Sequence, residues 1–279
     1  MKFTTPDKWI IAFSLAAFVT LAPLATQSSA QLRSVGRSWP ADQRKAFAQI
    51  DHSSFDSLLK KYVNKDGEVN YAAWKNSSTD RKALQDYLVS LSQADRKIQC
   101  TPAATLAYWI NAYNAVTVEG ILAVYPTSSI RNHTKKIGYN LWKDLKLIVG
   151  DTSINLNDIE HEVLRKMNEP RIHFAIVCAS VGCPRLLNEA YTAEKIESQL
   201  ITNTRDFFSR SRNLSYDSNR RQLQLSAIMN WFGSDFGADT NAQVRAVAGY
   251  FPEALQNVVR QGGYSVGFLD YDWNLNQQR

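Results

Sequence analysis

The stretch Thr101–Pro126, TPAATLAYWINAYNAVTVEGILAVYP, opens on threonine and proline and closes on a second proline. Thr101 offers a side-chain oxygen as N-cap, Pro102 fits the first helical position, and Pro126 stops the helix. Leu106, Ile110, Tyr113, Thr117, Ile121 and Val124 make one stripe, while Ala103, Ala107, Asn111, Asn114 and Val118 line the neighbouring face. Apolar residues on nearly every side predict a central buried helix. A buried amide without partners costs about 1–3 kcal/mol, so Asn111 and Asn114 must be satisfied. They are expected either as a polar clamp onto a neighbouring loop or as contacts to a substrate.

On the N-terminal side, Phe55, Leu58, Leu59, Tyr62 and Val63 fall at i, i+3, i+4, i+7 and i+8, with Ser54 before them as a cap. Asn64-Lys65-Asp66-Gly67 follows; Tyr62 and Ala73 stand where a calcium loop needs oxygen donors, so it reads as a turn. On the C-terminal side, Asn157 or Asp158 caps a helix carrying Glu160 and His161. Arg171–Ala179 is an apolar, β-branched run that reads as a buried strand. Ser180-Val181-Gly182 turns the chain, and Pro184 is placed to open a short helix. Thr192 caps a helix over 193–208, and Leu214-Ser215-Tyr216 with Gln222–Leu225 suggests a hairpin. Ser226 caps residues 227–232. Two helices near 241–250 and 252–261 precede an extended aromatic tail, 264–275. Helices outnumber strands without regular alternation, and no repeat or internal linker interrupts 53–276. The reading is an α+β, helix-rich single domain over 53–276, built around a central buried helix and a small, mainly antiparallel sheet.

Residues 1–30 read as a cleaved signal peptide: Lys2 and Lys8 flank a short n-region, Trp9–Ala25 is apolar but broken by Pro23, and Ser28-Ser29-Ala30 supplies a small-residue site. Residues 31–52 are polar and weakly patterned, a linker or loosely docked arm. Of 279 residues, 249 then remain, and the net charge falls from +6 to +5. The expected product is exported, periplasmic or secreted, with no stable membrane span after processing. Its charge is too dilute to argue for nucleic acid. Hydrophobic residues at 44% and charged residues at 21% exclude disordered and fibrous classes. Three cysteines are too few to build a scaffold.

Reactive types concentrate at Glu160-His161, Arg171, His173, Cys178, Ser180, Cys183 and Arg185. Around them stand Ala107-Tyr108-Trp109-Ile110-Asn111-Ala112-Tyr113-Asn114-Ala115, Ile159-Glu160-His161 with Leu164-Arg165, and Arg171-Ile172-His173-Phe174-Ala175. Cys178-Ala179-Ser180, Cys183-Pro184 and Tyr271-Asp272-Trp273-Asn274-Leu275-Asn276 follow. Together these motifs resemble the domain-of-unknown-function family numbered 547, known from exported bacterial proteins and from parts of larger eukaryotic ones. The resemblance implies no established reaction; a more distant likeness is to papain-like and transglutaminase-like thiol enzymes.

On a regular strand, His173 and Cys178 would face opposite ways about 16 Å apart, at roughly 3.3 Å per residue, and could not act together. His161 is then the nearer base, while Glu160 beside it points about 100° away on a helix. Cys183 before Pro184 is expected at a helix N-cap, where the dipole lowers a thiol pKa. The candidate catalytic set is therefore Cys178 or Cys183 as nucleophile, His161 or His173 as base, and Glu160, with Asn111, Asn114, Ser180, Arg171 and Arg185 as substrate or polar support. Backbone N–H groups of the 180–182 turn, with Arg171 or Arg185, suggest an anion site. No cofactor is expected, and the spacing lacks a close metal-ligand pair. The expected activity is a thiol-dependent hydrolase or acyl-transferase on an amide-type bond of a small molecule or peptide. The alternative is a non-catalytic binding or scaffold domain in which an oxidising compartment joins Cys178 to Cys183.

Overall fold

The structure is a computed structural model and describes residues 33–134 and 140–279; the expected signal peptide lies outside the described residues. Helices α1 (Ser53–Tyr62), α2 (Tyr71–Asn76) and α3 (Ser78–Leu91) pack with α4 (Pro102–Val124), which every residue from Leu106 to Leu122 buries. The start of α4 is as its sequence dictates: Thr101 Oγ1 accepts the Ala104 N–H at 3.2 Å, and Pro102 sits in the first turn. No described helix is long and apolar enough to cross a membrane.

Strands β1 (Ser34–Val35), β2 (Lys146–Val149) and β3 (Thr152–Asn155) form one small sheet, flanked by α5 (Leu141–Asp144) and α6 (Leu156–Asp158). The chain leaves α6 into a widened π-turn over Ile159–Leu164. After α7 (Ile196–Ser209), the expected hairpin forms as β4 (Leu214–Asp217) and β5 (Gln222–Leu225). Ser226 then caps α8 (Ala227–Trp231), α9 (Thr240–Val247) and α10 (Glu253–Gln261) follow, and β6 (Ser265–Phe268) returns parallel to β5. The fold is α+β. Its strands make two three-stranded sheets, each with one parallel and one antiparallel pairing, where a single mainly antiparallel sheet was expected.

The segment before α1 is not loosely held. Ser34–Val35 pairs with β2, Lys45 bridges Ala94, and Phe47 and Ile50 are buried, with the Phe47 ring 4.5 Å from Tyr108. Isolated apolar residues in a polar stretch carry no periodicity, so this docking has no sequence signature. Two hydrophobic cores result: a large one around α4, and a second one under β4–β6 containing Phe174, Phe207, Phe208, Leu223 and Phe251. Tyr271 packs against both.

Candidate functional site: a thiol pair at the junction of two cores

The thiols ride on a loop that the chain around them holds from several sides. Arg171–Ala179 is not a strand. Pro170 opens a short 3-10 helix, Pro170–Phe174, whose first turn is capped by Glu169 accepting the Arg171 N–H, and irregular backbone follows. Apolar runs without periodicity do not separate strand from tight turn, and without a strand His173 and Cys178 are not held on opposite faces and line one cleft.

From α4, Asn114 donates Nδ2–H to the Ala175 carbonyl and accepts the Val177 N–H, both at 3.0 Å. From α7, Asn203 donates to the Phe174 carbonyl at 2.8 Å. Asn111 clamps Tyr191 in the same way, at 2.8 and 2.9 Å. Both α4 asparagines thus act as loop clamps, and Asn114 positions the approach to Cys178. Beyond it, Ala179 adopts φ +60°, a conformation a β-carbon disfavours. The distortion is held by the C-terminal segment: Val181 and Gly182 donate N–H bonds to the carbonyls of Asn274 and Asp272, and Asn276 donates to Ala179. A β-carbon on Gly182 would stand 2.9 Å from the Tyr271 ring, so glycine allows that ring to lie against the turn.

The thiol environment follows from this clamping. Cys183 Sγ accepts the Cys178 backbone N–H at 2.9 Å and the Tyr271 hydroxyl at 3.1 Å. Cys178 Sγ lies 2.9 Å from Ser180 Oγ and 3.0 Å from Tyr271 Oη, and the two oxygens are 2.8 Å apart. All three cysteines are free thiols. Residues 184–195 form no α-helix, so no dipole acts on Cys183. Burial alone would raise both thiols. At Cys183 the Cys178 thiol, the Tyr271 hydroxyl and the Cys178 N–H outweigh burial and bring the pKa down to about 6, while burial and the neighbouring thiolate push Cys178 far up. The pair thus gives up one proton readily and holds the second.

Both thiols face a cleft of about 180 Å³. Glu160 and His173 share its wall with Tyr113, and Trp142, Trp231, Phe232, Tyr271 and Trp273 supply aromatic surface. The Tyr113 hydroxyl donates to Glu160 Oε2 at 3.2 Å; burial, opposed by that bond, raises the Glu160 carboxyl to about 7. His173 Nε2 lies 2.8 Å from Asp235 Oδ2, and its ring stacks 4.2 Å from Phe232. Desolvation lowers the His173 pKa against the pull of Asp235, so the ring is neutral near pH 7. Arg165 grips both Asp235 oxygens at 2.6 Å and holds that carboxyl down near 2.

The other expected site residues stand elsewhere. His161 Nδ1 accepts from Arg165 at 3.0 Å and does not line the cleft. Arg171 is tied to Glu169 and Glu197, and Arg185 reaches Asn203 and the Lys65 carbonyl. The Val181 and Gly182 N–H groups are taken by the C-terminal segment, which removes the expected anion site. Ser180 is buried within the thiol network. Among the described residues, no group of three or more His, Cys, Asp or Glu is placed to hold a metal. A larger groove of about 580 Å³ runs along residues 47–60 and 189–195. It contains His52, engaged by Tyr87 at 2.7 Å and lowered by burial to about 4. Asp235, Trp142, Trp231 and Phe232 escape sequence reading because nothing local marks them.

No curated protein and no solved structure matches the chain. The motif Tyr271–Asn276 falls outside the matched family span, which covers α4, both cleft thiols and most of α7. Residues 98–208 match the family described as Protein of unknown function, DUF547, the family that the motifs resemble.

Proposed function

We propose that the chain is an exported, thiol-dependent acyl-transfer enzyme, a hydrolase or acyl-transferase acting on an amide-type bond, with Cys183 as nucleophile. The observation that carries this is the convergence, in one largely apolar cleft, of a low-pKa thiol, a carboxyl titrating near neutrality and a histidine paired with Asp235. Cys183 thiolate adds to the carbonyl carbon, forming a C–S bond. The C–N bond then breaks, and protonated Glu160 gives its proton to the departing amine. With a pKa of about 7, that carboxyl is matched to the task of acid and then base. Water or an acceptor amine next attacks the thioester, Glu160 takes back a proton, and the thiolate leaves. Neutral His173 offers Nδ1 as a second proton acceptor, because Nε2 is held by Asp235.

The near-complete burial of Cys183, 5% exposed, favours a second reading, a non-catalytic binding domain with structural thiols. Mass-resolved alkylation by iodoacetamide separates the two. The enzyme reading expects Cys183 to react faster than Cys100, with a midpoint near pH 6. A Cys183 that stays unmodified in the native protein sinks it.

A further inference from the structure

We infer that the cleft selects an uncharged aromatic acyl group, one six-membered ring directly attached to the carbonyl carbon or one carbon removed from it. The inference rests on the acyl-transfer reading and names the substrate part that occupies the apolar side. Three observations carry it. The first is size: an apolar cavity of about 150 Å³ is known to take one benzene, and the cleft measures about 180 Å³, room for a ring and a carbonyl but not for a second residue. The second is charge: no arginine or lysine lines the cleft, and Glu160 is its one carboxylate, itself raised towards neutrality by burial. An anionic side chain would lose its hydration there without a cationic partner. The third is shape. Trp231 is 47% exposed although aromatic. It is steadied by Tyr271 at 4.8 Å and Trp273 at 5.8 Å. A held aromatic plane at the mouth of a cleft offers an offset or edge-to-face partner to another ring, which an alkyl chain does not exploit. A pyranose would bring several hydroxyls, more than the few polar side chains of the cleft, Glu160, Tyr113, His173 and Tyr271, could satisfy while keeping their bonds to one another, to Asp235 and to sulfur.

The test is equilibrium binding of neutral amides to the mature protein carrying Cys183→Ser, which removes covalent chemistry. Benzamide and phenylacetamide are compared with hexanamide, methyl glucoside and benzoate by titration of tryptophan fluorescence and by NMR. The aromatic amides are expected to bind at least five-fold more tightly than hexanamide, with benzoate and methyl glucoside weaker still. Trp231→Ala is expected to weaken benzamide three- to ten-fold, and Trp231→Phe to restore most of it. Hexanamide binding as tightly as benzamide, or a Trp231→Ala protein that keeps full benzamide affinity, overturns the inference. Inert thiols in the alkylation assay leave this result standing, so failure of the chemistry and failure of the specificity are read separately.

Discussion

Replacing Tyr271 by phenylalanine removes one oxygen and leaves the ring that packs on Gly182. That oxygen reaches Cys183 Sγ at 3.1 Å, Cys178 Sγ at 3.0 Å and Ser180 Oγ at 2.8 Å. A hydrogen bond to a charged partner contributes about 1.5–3 kcal/mol, and one pKa unit corresponds to about 1.4 kcal/mol. The Cys183 midpoint, held near 6 in the native protein, should therefore climb. The climb is about one to two units, so the thiolate fraction at pH 7 falls from about nine-tenths to between about a half and a tenth. The assay is the pH dependence of iodoacetamide alkylation, read at Cys183 by peptide mass, with Cys100 in the same sample as an internal reference. Far-UV and near-UV circular dichroism establish that Tyr271→Phe remains folded. A folded Tyr271→Phe protein whose Cys183 midpoint has not moved would refute the claim that this hydroxyl stabilises the thiolate.

Glu160→Gln tests the buried carboxyl through stability. A carboxyl whose folded pKa is raised to about 7 favours its protonated form in the native state, so its burden is absent below its ordinary pKa of about 4.5, grows as pH rises from there to 7 and levels off above 7. Glutamine keeps an acceptor for Tyr113, and the variant should gain about 3 kcal/mol at pH 8 and almost nothing at pH 4 in urea unfolding; an equal shift at both pH values contradicts the assignment. Asn114→Ala strands the Ala175 carbonyl and the Val177 N–H, and a loss of about 2–5 kcal/mol is expected. It should also raise the Cys183 alkylation midpoint, whereas Asn111→Ala, which frees Tyr191 instead, should destabilise comparably without moving that midpoint.

What the sequence makes legible is local. Thr101, Pro102 and Pro126 delimit α4 because caps and prolines act on their own neighbours, and the 214–225 hairpin follows from two short apolar runs around Asp217-Ser218-Asn219. The clustering of Cys178, Cys183, Glu160 and His173 is legible as composition, but the reason for Cys183 acidity is not. A helix dipole was expected there, and a backbone N–H and a hydroxyl 88 positions downstream take its place. Arg171–Ala179 misleads because burial on both sides produces the same unbroken apolar run in a buried strand and in a clamped loop. Tertiary packing alone brings Asp235, 62 positions after His173, to that ring and Trp231 to the cleft.

The C-terminal segment has a consequence for biosynthesis. Tyr271 completes the thiol network, and Asp272, Asn274 and Asn276 pin the strained 179–182 turn, while the Gln277 region bridges back to Val69. A chain emerging from the ribosome has made both cysteines before it has made the group that acidifies one of them. Until residues 271–277 dock, Cys183 lacks the Tyr271 hydroxyl that donates to its sulfur. Under the acyl-transfer proposal, the reactivity of Cys183 would therefore depend on the docking of this last segment.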